Sequence, residues 1–93
     1  MRISFLDRFL RQFRAARPQD RAAVLDALLD LEAALANPSR HSGLGLRKLH
    51  PTDLWEVRIG LALRVLFRLS RDEAIFVFLG THDDVKGFLK NLS

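Results

Sequence analysis

Residues 54–69, LWEVRIGLALRVLFRL, carry the strongest structural pattern in this chain. Apolar residues recur at every second position on both sides of Gly60, a period that predicts two β-strands joined by a short loop. Each strand must turn its apolar set toward the same side of the sheet, because a one-residue slip would expose one of the sets to water. A three-residue loop at 60–62 satisfies this condition. The register is then defined by three apolar pairs: Ile59 with Leu63, Val57 with Val65, and Trp55 with Phe67.

The opposite face of the same two strands is basic. In this register Arg58 lies across from Arg64, and Leu54 lies across from Arg68. Two like charges in directly opposed positions repel each other, and Glu56 relieves only part of that repulsion. An arginine pair that breaks a local rule favours an anion-binding site on this face. The alternative is that both side chains extend into water, or that one pairs with a distant acid.

The flanking segments complete the sheet. Residues 74–79 are apolar throughout, which predicts a strand buried on both faces and ended by Gly80-Thr81. Residues 1–5 could form a short strand, and Leu44, Leu46 and Leu49 could form another.

Helical spacing appears at both ends of the chain. Apolar residues from Leu6 to Phe13 follow a helical period up to Pro18, and a second helix is predicted from about Gln19 to Ala36, ended by Asn37-Pro38. A third begins near Thr81, with Val85, Phe88, Leu89 and Leu92 as its apolar stripe. The predicted order is (β)ααββββα. This is an α+β fold in which an N-terminal helical hairpin packs on one face of a small antiparallel sheet and a short helix follows at the C-terminus. The residues expected to be buried between the sheet and the hairpin are Phe9, Phe13, Leu28, Leu31, Trp55, Val57, Val65, Phe67, Val77 and Leu79.

Composition limits the possible functions. Residues 1–93 are expected to form a single domain, with 48% hydrophobic residues and no cysteine. A disulfide framework, a thiolate zinc site and a thiol nucleophile are therefore excluded. No apolar run reaches the roughly 20 residues that span a bilayer, so we expect a cytoplasmic protein without a membrane partner. His41 and His50 lack metal-ligand spacing and no phosphate-loop motif is present, so neither a metal nor a cofactor is expected.

The charge is positive and unevenly distributed. The chain carries 15 basic and 11 acidic residues, with a net charge of +4, and most of the basic residues are arginine. The excess falls in residues 1–17 and 37–71. Arginine presents a planar fork that suits phosphate and carboxylate, which favours nucleic acid or an acidic protein as a partner. Solvated surface charge is the alternative.

His82 is a candidate for proton transfer. It follows the buried strand and opens the last helix, where backbone N–H groups favour a phosphate. Histidine exchanges protons near neutral pH, so it could act as a general acid or base. A capping or packing role for His82 is the alternative.

Several of these segments together resemble the RelE/ParE toxin family. The opening ISFLDRFLRQF (residues 3–13), the core LWEVR (54–58) with LRVLFR (63–68), and FLGTHDDV (78–85) are similar to its motifs in order and spacing. Three departures occur: Leu63 replaces a usual tyrosine, Glu56 stands where some members have lysine, and Phe88 lacks a tyrosine hydroxyl.

The resemblance implies a type II toxin that cleaves mRNA on the ribosome and is neutralised by a cognate antitoxin. It assigns Arg64, Arg58 and His82 to catalysis. The residues expected to bind RNA are Arg68, Phe88, Arg47 and Lys48. Two alternatives remain open: a ParE-like toxin that binds DNA gyrase without cleaving RNA, and a module that only binds nucleic acid or protein.

Overall fold

A computed structural model describes residues 2–36, 45–49 and 51–92. Within these residues it contains three helices and one five-stranded sheet. In chain order the elements are β1 (Arg2–Phe5), α1 (Asp7–Ala15), α2 (Pro18–Ala36), β2 (Leu46–Leu49), β3 (Leu54–Ile59), β4 (Leu63–Leu69), β5 (Glu73–Thr81) and α3 (His82–Lys90). The predicted α+β order is confirmed, including the N-terminal strand. None of the helices in the described part of the chain is long and apolar enough to cross a membrane.

The strands are arranged in the order β1-β5-β4-β3-β2. Strands β2 to β5 form the predicted antiparallel meander, but β1 pairs with β5 in parallel. The sheet is therefore mostly, not wholly, antiparallel. Two helices follow β1 before the meander begins, and this long connection carries the chain across the sheet, so that β1 and β5 run in the same direction.

The predicted register of β3 and β4 is confirmed at every position. The apolar pairs form as expected, Arg58 lies opposite Arg64, and Leu54 lies opposite Arg68. Gly60 has a φ of 63°, in the left-handed region that glycine adopts without a steric penalty. The loop at 60–62 therefore closes the hairpin without strain.

The main core lies between the sheet and the two N-terminal helices. Helix α1 packs on β5 and helix α2 packs on β3. The predicted core residues that it contains are Phe9, Leu31, Val57, Val65, Phe67 and Leu79, with Phe13, Leu28 and Trp55 half-buried against them. Full burial of one such side chain contributes about 1.5–3 kcal/mol.

A β-bulge corrects one core prediction, the placement of Val77 on the helical face. Leu66 pairs with Phe78 but the next residue, Phe67, pairs with Phe76, so Val77 is an extra residue in β5. The bulge reverses the alternation of faces, a change that a strict period of two does not anticipate. Val77 consequently packs in a second cluster on the other face, with Leu54, Leu66, Phe78 and Val85.

The helix boundaries agree closely with the sequence signals. Helix α2 begins at Pro18, one residue before the predicted start, because proline at the first helical position sacrifices no intrahelical hydrogen bond. The predicted stop signal Asn37-Pro38 lies outside the described residues, as does Leu44 of the predicted strand. Helix α3 covers the face of the sheet opposite to α1 and α2, where Val85, Phe88 and Leu89 contact the second cluster.

Candidate functional site

One cavity is lined by most of the side chains that were predicted to act in catalysis or RNA binding. It has a volume of about 320 Å³ and lies on the sheet face that also carries α3. Its walls are formed by Gly45, Leu46, Arg47, Glu56, Arg58, Arg64 and His82. The structure thus brings together all three residues assigned to catalysis and one of those expected to bind RNA. Three guanidinium groups and one imidazole border the same small space.

Glu56 balances part of this positive charge. It is 4% exposed and is the one buried charged residue among those that the structure describes. Its Oε1 atom accepts a hydrogen bond of 3.1 Å from Arg47 Nε, and Arg64 Nε lies 3.9 Å from the same oxygen. One carboxylate and three guanidinium groups therefore line the cavity, which keeps a net positive charge.

The Arg64 guanidinium is held from two sides. Its Nη1 atom donates a hydrogen bond of 3.1 Å to the carbonyl oxygen of Leu63, and Glu56 lies against its Nε edge. Its side chain is only 12% exposed. Arg64 is therefore oriented within the sheet face rather than extended into water.

Arg58 differs from its cross-strand partner. Its side chain is exposed and forms no ion pair with any residue in the described ranges. Its repulsion from Arg64, the directly opposed residue on β4, is therefore not offset by an acid paired with Arg58 itself. An anion placed between the two guanidinium groups would relieve that repulsion.

His82 reaches the cavity because of how α3 begins. It is the first residue of the helix, directly after the N-cap Thr81. A capping box fixes this turn: Asp84 N donates to Thr81 Oγ1 at 3.1 Å, and Thr81 N donates to Asp84 Oδ2 at 3.0 Å. These two bonds satisfy otherwise unpaired backbone groups and hold the imidazole at the cavity edge.

A close approach at Gly80 also seats this helix. A Cβ atom at Gly80 would lie 2.8 Å from Asp84 Cβ and 2.9 Å from Phe78 Cε2. The absence of a side chain at this position therefore allows α3 to pack tightly against the end of β5.

The hydrogen bonds that Asp84 accepts also affect its ionisation. The Thr81 backbone N–H and, to a smaller extent, the Thr81 side chain hold the pKa of Asp84 below its ordinary value. The cap is thus strongest when Asp84 is charged.

The remaining three residues expected to bind RNA lie away from this cavity. Arg68 pairs with Asp53 at 3.1 Å toward the other end of the β3–β4 hairpin. Lys48 lies opposite Trp55, so it belongs to the face that packs against α1 and α2. Phe88 is the third, and it lies beside α1.

The surroundings of Phe88 form a second groove. The Phe88 ring stacks on Phe78 with a centroid separation of 4.5 Å, and Arg8 Cζ lies 5.2 Å from the centroid of the Phe88 ring. A groove of about 980 Å³ between α1 and α3 contains this stack. In the same groove Gln12 Oε1 accepts a hydrogen bond of 2.8 Å from Leu79 N. No pattern in the sequence predicts this groove, because it depends on how two helices approach β5.

The role of Glu56 in the cavity was not predicted from the sequence. Glu56 lies two residues before Arg58 on β3, so both side chains point to the same face of the sheet. Its pairing with Arg47 depends on the register between β2 and β3, where the two residues are directly opposed. No sequence signal defined that register.

Metal binding finds no support in the described part of the chain, which contains no cluster of three or more potential ligands. His41 and His50 lie outside the described residues. The expectation that no metal or cofactor binds therefore stays a prediction.

Comparison with known proteins identifies the fold. No model of a protein family and no curated protein matches the sequence. Solved structures do match. The toxin in the RelB-RelE antitoxin-toxin complex of Methanococcus jannaschii aligns with a TM-score of 0.68 and 15% identity, over 91% of this chain and 96% of that one.

Two further structures agree. A YoeB/ParE toxin from Agrobacterium tumefaciens has a TM-score of 0.67 and 20% identity, over 88% of this chain and 99% of that one. YafQ from E. coli has a TM-score of 0.66 and 17% identity, over 91% and 98% respectively. The chain therefore has the fold of the RelE/ParE toxins, in agreement with the resemblance seen in its sequence.

Proposed function

We propose that this protein is the toxin of a type II toxin-antitoxin system, and that it acts in the cytoplasm as an endoribonuclease on ribosome-bound mRNA. A single observation carries the proposal: Arg47, Arg58, Arg64 and His82 border one cavity of about 320 Å³. This combination provides charge stabilisation and proton transfer at one point, the two requirements of phosphodiester cleavage.

The proposed reaction is an internal transfer at one phosphate of the RNA. The ribose 2′ oxygen forms a bond to phosphorus, and the bond from phosphorus to the 5′ oxygen breaks. The products are a 2′,3′-cyclic phosphate and a free 5′-hydroxyl, so no water is consumed. His82 serves this reaction either as the base that accepts the 2′ proton or as the acid that protonates the leaving 5′ oxygen, and solvent water exchanges the other proton.

The arginines supply the electrostatic part of the mechanism. Negative charge accumulates on the phosphate oxygens in the transition state, and Arg58 and Arg64 approach it from opposed positions on β3 and β4. A charge contact of this kind is worth about 10²–10³ in rate. Arg47 extends the positive wall, and Arg68 and Phe88 are proposed as more distant contacts to the RNA chain.

A cognate antitoxin is proposed as the protein partner. Among the structural neighbours, RelE was solved together with RelB and YafQ together with DinJ. An antitoxin for this chain would cover the basic face, and the positive cavity favours an acidic segment over it.

The direct test combines purified ribosomes, a defined mRNA and the purified chain. We expect cleavage within the ribosome-bound region, with a 2′,3′-cyclic phosphate at the new 3′ end, and suppression when a cognate antitoxin is added. Stalling of DNA gyrase without RNA cleavage would favour the ParE-like alternative. Harmless expression with neither effect would leave only a binding module.

A further inference from the structure

Glu56 stands out among the described residues as a buried carboxylate in a site built for anions. A negative charge there weakens electrostatic attraction for any phosphate that enters. Burial of a charge is also costly unless the charge is paired. A residue with these two disadvantages needs a compensating role.

We propose that Glu56 is a positioning residue that holds the Arg47 and Arg64 guanidinium groups in the orientation that phosphate cleavage requires. Both arginines turn their Nε atoms toward the same Glu56 oxygen. The contact is shorter for Arg47, at 3.1 Å, than for Arg64, at 3.9 Å. This inference rests on the proposed ribonuclease activity for one of its readouts.

The geometry explains why two arginines share one carboxylate. A guanidinium group has five N–H donors, and those at the end of the side chain remain for a ligand when Nε points toward Glu56. Arg64 is restrained further by its bond to the Leu63 carbonyl oxygen. Restraint before binding reduces the ordering that the site must undergo during the reaction.

Arg58 provides the internal contrast. It lines the same cavity, yet it is exposed and forms no ion pair within the described ranges. Glu56 therefore divides the three arginines into two that are held and one that is free. The free arginine can follow the RNA, while the held pair defines where the phosphate lies.

The Glu56→Gln variant separates positioning from simple charge balance. Gln keeps the size and an acceptor oxygen, but it removes the negative charge and makes the cavity more positive. If Glu56 only offsets charge, the variant binds RNA more tightly and cleaves as fast as the wild type. If Glu56 positions the arginines, cleavage falls by about 10²-fold, as for a misplaced catalytic group, while RNA affinity is unchanged or tighter.

Binding is measured with an RNA that carries a 2′-deoxy nucleotide at the cleavage site, so that the probe cannot react. Asp53→Asn is the matched control. It removes one carboxylate from an Arg68 ion pair of the same 3.1 Å length, on an exposed part of the surface outside the cavity. We expect this control to cleave within a few-fold of the wild type.

Side-chain NMR gives a readout that does not depend on activity. In the wild type, the Nε–H signals of Arg47 and Arg64 should be slow to exchange and should show restricted motion. In Glu56→Gln both should become mobile, whereas Arg58 should change little. Unchanged Arg47 and Arg64 signals in the variant would overturn the inference, even if the wild type proves not to cleave RNA.

The Glu56→Asp variant replaces Glu56→Gln in these measurements if the Gln variant does not fold. It keeps the charge, so partial immobilisation of both arginines and partial cleavage are expected. A folded Asp variant whose Arg47 and Arg64 signals resemble those of free arginine would contradict the inference. A wild type that never cleaves RNA, but whose arginines depend on Glu56 as described, would refute the proposed function alone.

Discussion

Arg58 and Arg64 occupy directly opposed positions on β3 and β4, and both line the cavity that His82 borders. Sheets normally avoid such like-charge pairs because they are destabilising. Glu56 offsets part of the repulsion because it lies against Arg64, whereas Arg58 has no ion-pair partner among the described residues. A dianionic transition state between the two side chains would convert this unfavourable pair into a favourable one.

The Arg64→Ala variant is expected to lose cleavage by about 10²–10³-fold, because one charge contact to the transition state is removed. Glu56 keeps its hydrogen bond to Arg47, so the sheet should remain folded. Cleavage on purified ribosomes and the melting temperature are measured together. Arg71→Ala, an exposed change in the turn after β4, is the control and should cleave at the wild-type rate.

The His82→Gln variant is expected to reduce cleavage by about 10²–10⁴-fold, because Gln cannot transfer a proton. The capping bonds at this turn involve Thr81 and Asp84, so the start of α3 should survive the change. A pH–rate profile assigns the role. A limb of activity that rises with pH in the wild type and is absent from the variant identifies a base, and a falling limb that is absent from the variant identifies an acid. Equal cleavage by both proteins would make His82 a purely structural residue.

The pair Gly80→Ala and Gly87→Ala tests how α3 is seated. A Cβ at Gly80 would lie 2.8 Å from Asp84 Cβ, so α3 must shift, at a cost of about 1–3 kcal/mol. The shift would carry His82 from the cavity, and cleavage should fall with stability. Gly87 has open space around it and lies inside the helix, so alanine there should stabilise the protein by about 0.5–1 kcal/mol. Chemical denaturation and cleavage assays of both variants give the comparison.

Acid should weaken the same helix start. The folded-state pKa of Asp84 is lowered from 3.8, chiefly by the hydrogen bond from the Thr81 backbone. Its contribution to stability is therefore fully present above that value and is lost as the pH falls toward the folded-state pKa. The Asp84→Asn variant should be less stable than the wild type near neutral pH, and the difference should narrow below about pH 3.8. A difference that stays constant over the acid range would show that the charge of Asp84 contributes nothing.

The Phe67→Ala variant tests the main core. Phe67 is fully buried, and its ring lies 5.4 Å from that of Phe76. Removal of the ring should cost about 3–5 kcal/mol, a large part of the stability expected of a small domain. Urea denaturation provides the value. A loss below about 1 kcal/mol would mean that the surrounding residues collapse into the space.

The contrast between β3–β4 and β5 shows which features could be predicted. The period of two in residues 54–69, with a short loop at Gly60, allowed one register that buried both apolar sets, so every predicted pair formed. In β5 the residues are apolar throughout, and no alternation marked the extra residue. The bulge at Val77 was consequently invisible, although it decides which side chains face α3.

The order of elements, the β3–β4 register and the basic face follow from local patterns in the chain, because short-range periodicity and the need to bury apolar side chains act along neighbouring residues. Three relationships became visible only in the folded chain: His82 lines the same cavity as Arg58 and Arg64, Glu56 lies between Arg47 and Arg64, and Phe88 faces α1. These relationships depend on how α3 and β2 dock against the sheet. Docking results from the summed packing of residues distant in the chain, which no local pattern encodes.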